Sequence, residues 1–325
     1  MSENSWSIGV GMSTVGADLS GLDLSGIDLS GEALVMVILD GANLQGADLR
    51  DANLWGVSLK NAKLQGADLR GANLWAANLS NANFAGALLD GAEMSDAGLE
   101  NANLSGASLV GTKLERACLT GVILTGANLS RSDLRGAELA ETNLSDALLS
   151  FVDLTGTNLS AMELQGANLC GSNLRGANLS RADLSGACLS GADLSSAELS
   201  GAKLRRAALC RTVLNGADLA DAIAHHARFT GAQLKRANLC GIDLSGANLK
   251  LANLEGADVS FASLARSKMN VAVLTGAALT WTSLCSATLT GATFRSAFIS
   301  EADFEDAELR HVTWPDGPDS GTLNL

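Results

Sequence analysis

Residues that could support catalysis or metal binding are few in this sequence, which has three histidines and six cysteines in 325 residues. His225 and His226 are adjacent, and imidazole nitrogens are common zinc ligands. Adjacent side chains in an extended segment point to opposite sides, however, while His311 is distant and no cysteine completes a ligand set. The sequence therefore predicts no metal site, and the histidine pair is interpreted as part of a local packing defect beside Ala224.

Serine and carboxylate residues are abundant, but they recur with a regular period and form no isolated catalytic constellation. Glycines recur with the same period, and no Gly-Lys-Ser or Gly-Lys-Thr run indicates a phosphate-binding loop. We expect a protein that is not an enzyme and that carries no cofactor.

The six cysteines include no Cys-x-x-Cys pair and no spacing typical of a secreted disulfide scaffold, which predicts reduced thiols. Residues 1–16 lack the features of a signal peptide, and the longest apolar run, residues 33–39, is too short to cross a bilayer. We expect a cytoplasmic protein without membrane contact.

A large apolar residue recurs at every fifth position from Leu19 to Trp314, without insertion or deletion. Fifty of these 60 central positions are Leu, and only Ala224 is small. The position two residues before each centre, here called the small position, is Ala in 42 of 60 repeats. Such an unbroken short period indicates a repeat architecture.

A period of five matches neither a helix nor an uninterrupted strand, so each repeat must combine conformations. Three extended residues place the small and central side chains inward and the residue between them, the outward position, toward solvent. The next two residues form a first and a second corner position. Glycine is frequent at the second corner, as expected for a tight turn.

The segment from Gln45 to Trp55 recurs almost unchanged 20 residues later, from Gln65 to Trp75. Twenty residues are four repeats, which predicts a coil with four sides. The 60 repeats would form about 15 coils, and at about 4.8 Å per coil the rod would be roughly 72 Å long. The sequence thus predicts an all-β, four-sided parallel β-helix.

The Ala-(Asp/Asn)-Leu-x-Gly-like repeat resembles the pentapeptide-repeat family from about Ala17 to Trp314. The resemblance implies a right-handed β-helix without catalytic activity, and the handedness agrees with the general preference of parallel crossovers. We expect an N-terminal cap at residues 1–16, where Trp6, Ile8, Val10 and Met12 alternate with smaller residues. The β-helix would occupy residues 17–314, followed by a proline-containing tail at residues 315–325.

Net charge is −13, which favours basic partners and disfavours direct binding to nucleic acid. Assigning repeats to sides by their position modulo 20 gives net charges of −8, −3, +2 and −2. The −8 side, here called face 1, contains the repeats centred on Leu19, Leu39 and onward to Ile299. Face 1 contains only two cations, Lys60 and Arg181. Its ten acids are Asp18, Asp40, Glu100, Glu138, Glu141, Glu198, Asp218, Asp221, Asp258 and Glu301.

An acidic rod of this kind resembles the family members that confer fluoroquinolone resistance by mimicking duplex DNA. The resemblance implies a protein partner, with DNA gyrase as the candidate. The density of charge is lower than in DNA, because one carboxylate per roughly 7 Å compares with one charge per about 1.7 Å of duplex. The alternative is that these acids only keep the rod soluble.

Exposed apolar residues are predicted at two places. Val35, Trp55 and Trp75 occupy one corner of three successive coils, and Phe261 and Trp281 share another corner near Phe298. Such columns either stabilise the ladder or bind partners, which supports an alternative function as a cytoplasmic scaffold. Family resemblance also implies that a C-terminal apolar surface could form a homodimer.

Residues 203–250 carry eight cations against three carboxylates, a local net charge of +5. These cations could dock an acidic partner or pair with carboxylates on adjacent coils. Pairing is the favoured interpretation.

Overall fold

The computed structural model describes residues 15–315. The proposed cap at residues 1–16, apart from its last two residues, and the tail after Pro315 lie outside the described residues. Within them the chain is a right-handed, four-sided β-helix, as expected. Each face contributes one bridged residue per coil, beginning at Asp18 and ending at Thr313, and every partner lies 20 residues away in parallel orientation.

Backbone hydrogen bonds to the next coil repeat with the same period. The amide of Leu24 donates to the carbonyl of Asn43 at 2.7 Å, and the amide of Asn43 donates back to Leu22 at 2.9 Å. A third bond joins the second-corner amide of Gly26 to Gln45 at 2.9 Å. Three bonds per repeat therefore hold each coil to its neighbour, although the extended segments are very short.

We refer to the other sides as face 2, face 3 and face 4, with repeats centred on Leu24, Leu29 and Leu34 and every 20 residues thereafter. Central and small side chains of all four faces fill the interior, and most are 0–1% exposed. Even Ala224 is fully buried. Burial of a central Leu contributes about 2 kcal/mol, and this contribution recurs in every repeat.

All second-corner residues from Gly16 to His311 have a positive φ, although only half of them are glycine. Each corner closes with a bond from the next small-position amide to the preceding central carbonyl, such as Ala42 to Leu39 at 3.1 Å. The third residue of a type II turn requires this conformation, which glycine adopts without steric cost. The regular frame thus imposes left-handed backbone even on Phe261 and Trp281.

One junction between coils is open. Eight expected backbone bonds are absent there, five from amides of residues 134–144 and three from amides of residues 153–163. Glu138 and Asn158 also form the one missing bridge in the series from Asp18 to Thr313. The fourth side of this junction is closed, because Leu149 still donates to Asn168 at 2.7 Å.

The small positions explain where the junction opens. In the coil that follows it, Val152, Thr157 and Met162 occupy three consecutive small positions, and Ala167 occupies the fourth. The lost bonds all lie on the three sides with the larger residues, where only the bond from Asp146 to Gln165 at 3.1 Å remains, and the side with Ala167 keeps all of its bonds. Crowding inside the coil therefore separates it from the preceding one, because packed interiors tolerate extra volume poorly.

The hydroxyl group of Thr157 also shows that these two coils are separated. The other threonines at small positions each donate a hydroxyl hydrogen bond to a carbonyl 23 residues earlier, as Thr142 does to Leu119 at 2.8 Å. The Oγ1 atom of Thr157 is buried and has no partner. Leu134, the residue 23 positions earlier, lies across the open junction.

The expectation that all six thiols are reduced is wrong for one pair. Cys170 and Cys188 form a disulfide on face 3, with their Cα atoms 5.6 Å apart. A first-corner residue contacts the outward residue 18 positions later, on the next coil, and this spacing brings the two cysteines together. The other four cysteines are free and partly buried.

Candidate acidic interface

Face 1 presents its carboxylates to solvent as expected. Glu138, Glu141, Glu198, Asp221 and Asp258 are exposed. So are Asp18 and Glu301 near the two ends, while Asp40, Glu100 and Asp218 are partly buried. The four-sided frame places all ten side chains on one side of the rod, because each face repeats every 20 residues.

Within residues 15–315, no carboxylate of face 1 forms an ion pair, and neither Lys60 nor Arg181 pairs with a carboxylate. Several acids accept uncharged donors instead. Asp40 accepts from the Ser58 hydroxyl at 2.5 Å, and Asp218 accepts from the Asn238 amide at 2.8 Å. These bonds orient the carboxylates without neutralising them.

Acids on the other faces are compensated much more often. Asp96 pairs with Arg116 at 2.7 Å, and Asp48 pairs with Arg50 at 2.5 Å. Hydrogen bonds from Arg50 lower the pKa of Asp48 to about 2. The negative potential is thus concentrated on face 1 more strongly than a count of charges indicates.

The N-terminal aromatic column is part of the ladder. Trp55 and Trp75 stack with ring centroids 5.9 Å apart and planes inclined by 10°, and each is little more than one-third exposed. Val35, in the coil before, is also half-buried. This stacking packs successive corners against each other.

The C-terminal apolar residues protrude instead. Phe261, Trp281 and Phe298 are 62%, 59% and 64% exposed. All three belong to face 1, so an aromatic surface continues the acidic one toward the C-terminal end. Phe261 and Trp281 also occupy corners with φ near 60°, a conformation that costs a bulky residue about 1–2 kcal/mol.

The open junction divides face 1 in the middle, with five of its acids on each side. Two clefts of about 450 and 530 Å³ occupy the opening. Glu141, Ser160 and Met162 line both clefts, and Glu138 lines the first. The signal for this opening in the sequence is the run of Val152, Thr157 and Met162 at three consecutive small positions, and the repeat pattern alone does not predict the opening.

Side chains with metal-binding chemistry form one close group among residues 15–315: Cys285, Asp303 and Glu305. The thiol of Cys285 donates to Asp303 at 2.8 Å, and this hydrogen bond raises the pKa of the thiol. A protonated thiol is a poor metal ligand. His225 lies outside this group and contacts Asp243 at 3.4 Å.

Pairing accounts for only part of the basic segment. Lys203 pairs with Asp183 at 3.3 Å, and Lys235 pairs with Glu255 at 2.8 Å. The other six cations of residues 203–250 form no ion pair with any described residue: Arg205, Arg206, Arg211, Arg228, Arg236 and Lys250. The favoured interpretation is therefore wrong for most of this segment.

A rod of identical short coils with a buried apolar core defines a solenoid repeat protein. The profile for pentapeptide repeats matches this chain in nine overlapping or neighbouring segments that together cover residues 38–160, 163–270 and 272–310. The chain belongs to the pentapeptide-repeat family.

Several solved structures are similar to this chain. A pentapeptide repeat protein from the thylakoid lumen of Arabidopsis thaliana is 37% identical over 34% of this chain and 69% of its own, with a TM-score of 0.25. HetL from Nostoc sp. strain PCC 7120, a protein involved in heterocyst differentiation regulation, is 26% identical over 92% of both chains, with a TM-score of 0.18.

Full-length QnrB1, a plasmid-mediated fluoroquinolone resistance protein, is 20% identical over 66% of this chain and 92% of its own, with a TM-score of 0.32. No curated protein sequence matches the chain. Among residues 15–315, no helix is long and apolar enough to cross a membrane.

Proposed function

We propose that this chain is a non-catalytic binding protein that presents face 1 to a basic protein surface, and that it acts as a DNA mimic toward DNA gyrase. Members of its family are generally structural or binding proteins. The observation that carries the proposal is that, among residues 15–315, the carboxylates of face 1 form no ion pair, whereas carboxylates on the other three faces are frequently paired.

Uncompensated carboxylates attract a cationic groove over distances comparable with the Debye length, about 10 Å at 0.1 M salt. A narrow rod roughly 72 Å long corresponds to about 21 base pairs at 3.4 Å per step. The carboxylates are sparser than DNA phosphates, so the mimicry is of shape more than of charge density.

A supercoiling assay with purified gyrase tests the proposal. We expect micromolar protein to inhibit supercoiling, or to protect gyrase against a quinolone. A variant with Glu198→Gln, Asp218→Asn, Asp221→Asn and Asp258→Asn should lose this effect.

The matched control removes four carboxylates without ion pairs from other faces: Asp51→Asn, Asp146→Asn, Glu163→Gln and Asp306→Asn. It should retain the activity. Absence of any effect of the unmodified protein on gyrase would refute gyrase as the partner. Equal losses in both variants would refute a specific role for face 1.

The second candidate function is a scaffold that binds through exposed aromatic corners. Phe261, Trp281 and Phe298 favour it, because exposed aromatic clusters are typical of interfaces. The same surface could form a homodimer, which light scattering detects. A triple alanine variant at these positions tests this patch, and Trp55→Ala/Trp75→Ala tests the other one. If neither variant changed oligomeric state or partner binding, this candidate would be eliminated.

We also propose the cytoplasm as its location, on the sequence features given above. Fractionation of the native host tests this location. Recovery in an oxidising compartment would refute it and would agree with the Cys170–Cys188 disulfide.

A further inference from the structure

Six residues on three successive coils form a basic cleft where face 2 turns into face 3. They are Ser185 and Gly186, Arg205 and Arg206, and His225 and His226. The cleft has a volume of about 650 Å³. This cleft, here called the arginine corner, contributes neither to the acidic face nor to the aromatic surfaces.

Regular stacking explains how these groups converge. Each pair occupies the first and second corner positions of its coil, and successive coils are about 4.8 Å apart. Gly186 leaves one side of the cleft open, since no atom lies within 4 Å of the point where a Cβ would stand. The imidazole of His226 packs over Gly246 at the other side, and this close approach requires glycine there.

The two guanidinium groups are available for a ligand. Neither Arg205 nor Arg206 forms a side-chain hydrogen bond or ion pair within residues 15–315. The outward carboxylates of the flanking coils have other partners, because Asp183 pairs with Lys203 at 3.3 Å and Asp243 contacts His225 at 3.4 Å. Two uncompensated charges therefore border one cleft.

The surrounding surface adds to this potential. Face 3 begins directly after Arg206 and contains no carboxylate between Asp90 and Glu308. Arg211 and Arg228, on the adjoining coils of face 3, are exposed or partly exposed and have no ion pair among the described residues. Clustered cations raise the local concentration of anions.

We propose that the arginine corner binds a phosphate group. Two guanidinium groups present paired N–H donors that match the oxygens of phosphate, and the imidazoles can add further N–H donors. Two positive charges at adjacent corner positions of one coil suit a compact dianion or an adjacent pair of phosphates. The group could belong to free phosphate, pyrophosphate or a small phosphate ester, all of which share this chemistry.

Isothermal titration calorimetry with the full chain in about 0.1 M salt, where non-specific attraction is screened, tests the proposal. We expect saturable binding of pyrophosphate at one site per chain, with weaker binding of inorganic phosphate. A small phosphate ester that binds as well as pyrophosphate would show that esters are a source of the ligand. Arg205→Gln/Arg206→Gln should weaken pyrophosphate binding by about tenfold or more.

The control is Arg131→Gln/Arg295→Gln, which removes two exposed arginines from corners several coils away; neither forms an ion pair with any described residue. This variant should bind pyrophosphate within about twofold of the unmodified protein, because additivity holds for distant sites. Circular dichroism establishes that both variants are folded. Absence of saturable binding, or an equal loss in both variants, would overturn the proposal.

A single-stranded oligonucleotide provides a second way to overturn it. Tighter binding of the oligonucleotide than of pyrophosphate, with equal loss in both double variants, would indicate a diffuse polyanion-binding surface. The gyrase assay does not involve these arginines, so the two proposals can fail independently.

Discussion

Replacement of Met162 by alanine tests whether crowding at the small positions opens the junction. Met162 is 7% exposed, and truncating a buried methionine ordinarily destabilises a protein by about 2–5 kcal/mol. Single valines and threonines at small positions, such as Val57 and Thr212, occur in closed coils, so removal of the Met162 side chain lets the whole coil approach the preceding one. Eight backbone hydrogen bonds can then form, and at about 0.5 kcal/mol each, the lower limit for bonds exchanged with water, they contribute roughly 4 kcal/mol.

The two effects nearly cancel, so we expect Met162→Ala to change the free energy of unfolding by less than about 2 kcal/mol. Met269→Ala is the control, because Met269 is fully buried at a central position in a closed coil. It should lose the ordinary 2–5 kcal/mol. Urea denaturation compares the two variants under identical conditions.

Hydrogen exchange gives the sharper measurement, since it reports the junction directly. In the unmodified protein, the amides of Leu139 and Asn158 should exchange much faster than the bonded amides of Leu119 and Asn178. In Met162→Ala, protection at both should rise by up to about 1,000-fold, because closing the junction is worth about 4 kcal/mol and each 1.36 kcal/mol is a factor of ten. Unchanged exchange together with a full cavity penalty would refute crowding as the cause.

Three further predictions follow from the corners and the charges. Gly171→Ala should destabilise the protein more than Gly191→Ala. Both glycines have a φ of 70°, but only a methyl group at position 171 would lie 2.5 Å from the ring of Phe151. Comparable melting temperatures of the two variants would contradict this reasoning. Thiol titration of the denatured, non-reduced protein should find four free cysteines, and a count of six would show that Cys170 and Cys188 are reduced. Carboxylates such as Asp133, which accepts hydrogen bonds from Arg135, have lowered pKa values in the fold. Their stabilisation is present above the unfolded pKa of about 3.9 and is lost as pH falls through the lower folded value, so the melting temperature should fall below about pH 4; a constant value down to pH 2 would exclude this contribution.

The sequence was sufficient to predict the architecture because the repeat is local. Each five-residue unit contains its own inward pair, outward residue and corner, and the 20-residue duplication sets the number of sides. These features predicted the burial of Leu24 and Phe304 alike, and they placed Glu198 and Asp258 on one face. Phe261 is more exposed than Trp55, because Phe261 occupies a second corner without a stacked ring, whereas Trp55 occupies a first corner and stacks on Trp75.

Contacts between coils required the tertiary structure. Cys170 and Cys188 are 18 residues apart, and so are His225 and Asp243; the side-chain directions at a corner decide whether such pairs meet. The same applies to Arg205, which forms no ion pair with a described residue although the carboxylates of Asp183 and Asp243 lie nearby.

The acidic face combines both kinds of information. Its ten carboxylates follow from a period of 20 and were assigned from the sequence alone. Two further features depend on how the coils stack: these carboxylates have no ion pair among the described residues, and an opening separates Glu138 from Asn158. A repeat fixes where side chains emerge, because the backbone is periodic; it does not fix which neighbours they reach, because side-chain size and rotamer vary from one coil to the next.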